Sequence, residues 1–222
     1  KMKIVLNEKG FLLDEIPKTN DWYLDYTYDG NNGNTTDNTN AGDTTTPEAP
    51  VPVKGSVVTD GASQAKYKIT DATKKTVEYI ASIRKKAKKV TVPASVKING
   101  VSYKVTSVAK NAFAKNTSVT TITIGSNVTT IGANTFSDCK KLTSVTVGKN
   151  VKSIGKKAFY NCKKLKTITI RSTKLTTKNV GAQAFKNINA QAKVKVPKSK
   201  VKAYQKLFTS KGLNKKVKIA KL

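Results

Sequence analysis

The chain has 222 residues, 37% of them apolar, with 42 Lys or Arg against 13 Asp or Glu and a formal net charge of +29. That length accommodates one domain with a sizeable core plus a tail or small second unit. No run of eighteen apolar residues reads as a membrane span, and the absence of histidine removes the commonest general base, the usual nucleophilic triads and most zinc sites.

Charge is divided unevenly along the chain. Residues 1–79 hold nine lysines and twelve acids, whereas residues 80–222 hold thirty-one lysines, Arg84, Arg171 and a single acid, Asp138. The positive field therefore belongs to the C-terminal two-thirds, where it draws anionic polymers by diffusion and keeps the domain in solution. Base-edge reading in a nucleic-acid groove leans on the arginine fork. Lysines are point charges that suit diffuse contact with phosphate, sulfate or carboxylate polymers. Solubility alone is the competing reading.

In chain order, the opening KMKIVLNEKG has neither the apolar h-region nor the small-residue cleavage site of a signal peptide, which leaves the compartment open. Residues 1–29, with IVLNEKGFLLDEI and the cluster Trp22, Tyr23, Tyr26 and Tyr28, are expected to form one or two strands, as a fragment or the end of an upstream domain. Asp25 and Asp29 lack the spacing of a calcium loop and read as solvating groups. Residues 30–55 are rich in Asn, Thr, Gly and Pro and poor in large apolar groups, the composition of a disordered linker.

Residues 56–222 are expected to form the main domain, beginning with an N-terminal cap at 56–104. There AKYKITDATKKTVEYIAS alternates as a hairpin, KKVTVP resembles a repeat strand, and VKINGVSYKV places Asn99-Gly100 between alternating apolar residues, the strongest short hairpin signal. Residues 105–188 then repeat. Phe113, Phe136, Phe159 and Phe185 are spaced by 23, 23 and 26 residues, and a period of that length means a solenoid. In the unit Leu142–Lys164, Leu142, Val145 and Val147 make a short strand. Val151 and Ile154 make a second apolar pair before Gly155, and Ala158, Phe159 and Cys162 face inward from a turn or short helix. Gly132, Gly155 and Gly181 recur at the corner, for a positive φ or for close approach of the neighbouring backbone. Stacking supplies the cover that one unit lacks, with the four phenylalanines as an interior spine. A C-terminal cap at 189–222 reads as a strand, Pro197, an amphipathic helix on Val201, Tyr204, Leu207 and Phe208, a stop at Gly212, and a strand through Val217 and Ile219.

These units resemble the BspA-like leucine-rich-repeat proteins, whose motif runs LxxVxI, VxxIG and xxAFxxC at a period near 23. Residues 105–188 match it closely. Asn116 and Ile188 replace the cysteine, Ala109 the corner glycine and Thr135 the alanine. The resemblance implies a leucine-rich-repeat solenoid, a right-handed β/α superhelix of mainly short β-strands with short turns or helices, capped at both ends. It also implies an extracellular or cell-surface bacterial protein that attaches to other molecules rather than turning them over. The partner would be a host or matrix protein or an anionic polysaccharide on a host or bacterial surface. No contact residue carries over, because the motif consists of core positions.

No P-loop, GxGxxG after a strand or calcium loop is present, and one carboxylate in the repeat region leaves paired-acid hydrolysis without a second partner. The expectation is a non-enzymatic module with no cofactor and no metal. Cys139 and Cys162 lie one period apart. Parallel Cβ vectors on stacked rungs favour two buried free thiols, with a bridge or a metal pair as alternatives. Lys140 and Lys141 follow Cys139 as Lys163 and Lys164 follow Cys162, so the two CKK steps should stack along one edge, with Lys149, Lys152 and Lys166 on nearby turns. Those seven are the candidate ligand-binding residues. Thr121, Ser144 and Thr167 align, as do Thr123, Thr146 and Thr169. An exposed strand face uses such β-branched ladders, and an ice-binding reading fits three rungs beside lysines poorly. Alternatives to adhesion are a targeting or spacer role within a longer surface protein or enzyme, and nucleic-acid binding through the basic face, which lacks arginine and any fold signature.

Overall fold

Short apolar-polar alternations such as Ser144–Val147 can bury one side of a strand only if another layer covers it. In the computed structural model that layer is the next turn of the same coil. The structure describes residues 52–222 and, within residues 1–51, the backbone of two short strands. The chain falls into two units, Lys1–Thr46 and Pro47–Leu222. In the first, β1 (Val5–Asn7) pairs antiparallel with β2 (Gly10–Leu12), in line with the one or two strands expected there. Asp25, Asp29, Trp22 and the tyrosines beside it, and residues 30–51 of the expected linker, lie outside the described residues.

The second unit is a β-solenoid of about six turns. Its N-terminal end is the meander β3 (Val57–Asp60), β4 (Ala65–Asp71) and β5 (Thr76–Ser82). After β6 (Lys89–Val92), β7 (Ser95–Ile98) and β8 (Val101–Val108) form the hairpin, with Asn99 at φ 49° and Gly100 at φ 76° as a turn of positive φ requires. The repeats then supply β9 (Thr121–Ile124), β10 (Thr130–Ile131), β11 (Ser144–Val147), β12 (Ser153–Ile154) and β13 (Thr167–Ile170). Beyond them come β14 (Lys193–Val196), a 3-10 turn at Lys198–Lys200, α1 (Val201–Ser210) and β15 (Ile219–Lys221). The last strand starts later than the sequence suggests, and Val217 is buried in the turn before it.

One wall is a six-stranded parallel sheet in the order β15-β14-β13-β11-β9-β6, with Ser144 opposite both Thr121 and Thr167, so the 23-residue period is the register itself. A second wall runs β12-β10-β8-β5-β4-β3. The third wall is made of turns. The helical option in the repeats is not taken, and the one α-helix among the described residues is α1. Along this wall N–H groups donate to the next rung: Asn134 to Lys156 at 2.9 Å, Phe136 to Ala158 at 2.8 Å and Asp138 to Tyr160 at 2.9 Å. Asn134 and Asp138 adopt left-handed φ of 53° and 59°, which their short polar side chains tolerate.

The corner glycines are explained by close approach. Gly132, Gly155 and Gly181 do not have positive φ, but a Cβ on Gly155 would lie 2.4 Å from the Ala133 nitrogen and one on Gly181 would lie 2.3 Å from the Lys156 nitrogen. The phenylalanine spine is real and longer than four rings. Phe113, Phe136, Phe159 and Phe185 stack at centroid distances of 5.3, 5.2 and 5.5 Å, the offset geometry that aromatic quadrupoles prefer. Tyr79 continues it onto Phe113 at 5.5 Å and Phe208 of α1 closes it on Phe185 at 4.7 Å. Both caps thus present an aromatic ring to the open end of the core.

Candidate functional site

The corner between the turn wall and the six-stranded sheet carries the lysine pairs. Register through β11 and β13 places Lys140 level with Lys163 and Lys141 level with Lys164 on adjacent rungs, and all four are exposed. Lys166 is exposed at the start of the next strand, and Lys149 and Lys152 are exposed beyond the far end of β11. The underlying cysteines are core. Both are fully buried and free, and each thiol donates to the carbonyl of the phenylalanine one rung earlier, Cys139 to Phe113 at 3.0 Å and Cys162 to Phe136 at 2.9 Å. The Cys139 side chain beside it, together with burial, pushes the Cys162 thiol well up, so it stays protonated. Intact mass should therefore be the same with and without reductant. A thiol reagent should label neither cysteine in the folded protein and both after unfolding. A mass lower by about two daltons before reduction would mean a bridge instead.

Asp138, the one acid of residues 80–222, sits on the same edge. Asn161 donates to its Oδ1 at 2.5 Å and Ser137 to its Oδ2 at 2.7 Å. These bonds, with Lys115 and Lys140 nearby, hold its carboxyl below the usual carboxylate range. An anion locked this way is a structural acceptor and no candidate for proton transfer at neutral pH. Among the described residues no three His, Cys, Asp or Glu side chains stand together as a metal site. Three surface concavities, of about 440, 590 and 320 Å³, are lined by lysines, Arg84, and small and aliphatic residues, with no carboxylate or thiol in any of them.

Elsewhere the surface repeats as regularly as the core. The threonine ladders lie in register on the outer face of the six-stranded sheet, and β6 adds Thr91 to one of them. Lysines that the motif alone does not single out, Lys88, Lys89, Lys193 and Lys195, close the ends of this face. The likeness of KKVTVP to a repeat strand points to Lys88 and Lys89, and the strand Lys193–Val196 in register with β13 brings in the other two.

The family described as BspA type leucine-rich repeat region matches residues 81–215 in six copies. This chain belongs to that family. The match begins before residue 105, where the motif is clearest in the sequence, because β6 and β8 form a rung with the extra strand β7 inserted between them. Among solved structures, the BspA-type chain is similar to a leucine-rich repeat protein from Bacteroides capillosus, at 26% identity and a TM-score of 0.53 over 63% of this chain and 97% of that one. It is also similar to a leucine-rich repeat protein from Bacteroides ovatus, at 27% identity and TM-score 0.47 over 61% and 37%. A leucine-rich cell surface protein from Faecalibacterium prausnitzii matches at 20% and 0.43 over 64% and 54%. The chain thus spans about half the length of the Faecalibacterium protein and about a third of the B. ovatus protein. None of the curated proteins matches it. Its relatives are leucine-rich-repeat proteins, a non-enzymatic kind of fold, and no described helix is long and apolar enough to cross a membrane.

Proposed function

We propose that this domain is a non-enzymatic adhesion module displayed outside a bacterial cell, and that it holds anionic polymers, a glycan or an acidic stretch of a matrix protein, through Lys140, Lys141, Lys163 and Lys164, with Lys166, Lys149 and Lys152 in support. The observation that carries this reading is the coincidence of the two CKK steps with the rung register. Two lysine pairs are stacked one rung, about 4.8 Å, apart on a scaffold whose sole neighbouring acid is already occupied. Like charges at that spacing repel, and an anionic ligand relieves the repulsion. Extracellular display is the reading that the BspA-type family supports.

Binding to heparin should weaken steeply with salt, as counterion release requires. Replacing the four CKK lysines by glutamine should lower the affinity and reduce the log-log salt slope by about 3, with the melting temperature nearly unchanged because all four side chains are solvated. Replacing Lys198, Lys200, Lys202 and Lys206 in the C-terminal cap removes the same charge elsewhere. Equal losses from both sets would leave only total charge and sink the aligned edge, and tighter binding to duplex DNA than to heparin would favour nucleic acid instead.

A further inference from the structure

Two rows of side chains on the outer face of the six-stranded sheet form a hydroxyl floor with cationic ends. One row runs Lys89, Thr121, Ser144, Thr167, Lys193 across successive strands, and the other runs Thr91, Thr123, Thr146, Thr169, Lys195. The residues between them, Ile122, Val145 and Ile168, are fully buried, so every member of the two rows faces out. Threonines just outside the rows are already engaged: Thr120 donates to the Lys88 carbonyl and Thr143 to the Thr120 carbonyl, each at 3.0 Å. The seven hydroxyls within the rows have no hydrogen-bond partner among the described residues. At one end the exposed run Arg84, Lys85, Lys86, Lys88 and Lys89 leads into β6. At the other, Lys193, Lys195 and Lys218 border a groove of about 320 Å³. From Lys89 to Lys193 is four strand spacings, about 19 Å.

The chemistry of this face narrows its partner. None of the exposed large apolar side chains of the domain, Val53, Val57, Ile83, Val101 and Leu222, stands in either row, so the rows lack the anchors of a protein hot spot. No aromatic ring lies on it to stack a nucleobase. A flat array of free hydroxyls with cations beyond both ends matches a chain that itself presents hydroxyls along its length and negative charge at intervals. We propose that this face binds a linear acidic polysaccharide laid along the solenoid axis, its sulfate or carboxylate groups held by the terminal lysines and its sugar hydroxyls bonded to the threonine rows. The inference rests on the polyanion-binding reading above and adds both the polymer class and its track.

The decisive variant removes hydroxyls and leaves charge alone. Thr123→Val, Thr146→Val and Thr169→Val together keep β-branched side chains on the strands, while serine at the same three positions keeps the hydroxyls. Binding of the full chain to heparin and to long-chain inorganic polyphosphate is measured across a salt series. The valine variant should lose about tenfold in heparin affinity, from three solvent-exposed hydrogen bonds each at the low end of the usual net contribution, with an unchanged salt slope and unchanged polyphosphate binding. The serine variant should bind heparin like the parent. Undiminished heparin binding by the valine variant, or equal loss on both ligands, overturns the hydroxyl track and leaves the lysine edge standing. A parent protein that binds neither polymer overturns the adhesion reading itself.

Discussion

Replacing Phe136 by alanine should cost about 3–5 kcal/mol of folding free energy, at the upper end for a core aromatic. The ring is fully buried between Phe113 at 5.3 Å and Phe159 at 5.2 Å, so truncation removes stacked contacts on both faces. The void cannot collapse, because backbone hydrogen bonds hold the rungs apart on either side. Phe113 N–H donates to Thr135 at 2.8 Å and Phe136 N–H to Ala158 at 2.8 Å. For a domain of this size the loss corresponds to a fall in melting temperature of roughly 6–20 °C. Calorimetry measures it, and a fall below about 3 °C would mean that the aromatic column is not what couples the rungs. A solenoid is a chain of nearest-neighbour interfaces, so weakening a central one should also split the unfolding into two steps and lower the apparent urea m-value.

Gly155→Ala should be as damaging for the opposite reason. The added Cβ would lie 2.4 Å from the Ala133 nitrogen and 2.5 Å from the Gly132 carbonyl carbon, both backbone atoms of the previous rung. No side chain can swing away. The strand and turn ladders on either side of the corner must separate, and the expected cost is about 3 kcal/mol or more, the upper range for overpacking. Gly61→Ala is the control. Its Cβ would meet nothing within 4 Å and its φ is not positive, so stability should stay within about 0.5 kcal/mol of the parent. A denaturant titration of the two variants reads both costs. Equal stability would show that the corner tolerates a methyl group and that rung spacing there is slack.

How much of this was legible follows from periodicity. A repeat that stacks on copies of itself must place the same residue type at the same point of every rung, so the 23-residue spacing contains the register, the inward positions and the burial of Cys139 and Cys162. The same logic placed the CKK steps on one edge. Three features came only from the tertiary structure. Corner glycine is compatible with two backbone requirements, and only the neighbouring rung's atoms show that Gly155 answers to proximity. The aromatic column runs at one end into Tyr79, which stands 34 residues before Phe113 and outside the matched repeats, because a cap has to match the exposed surface of the last rung and not its sequence; Phe208 at the other end keeps the 23-residue period from Phe185. The hydroxyls of Thr123, Thr146 and Thr169 are free while those of Thr120 and Thr143 are engaged, although all five are threonines on or beside the same strands. That difference depends on whether a carbonyl of the preceding rung lies within hydrogen-bond reach, a distance set by how the strands pack and invisible in the order of residues.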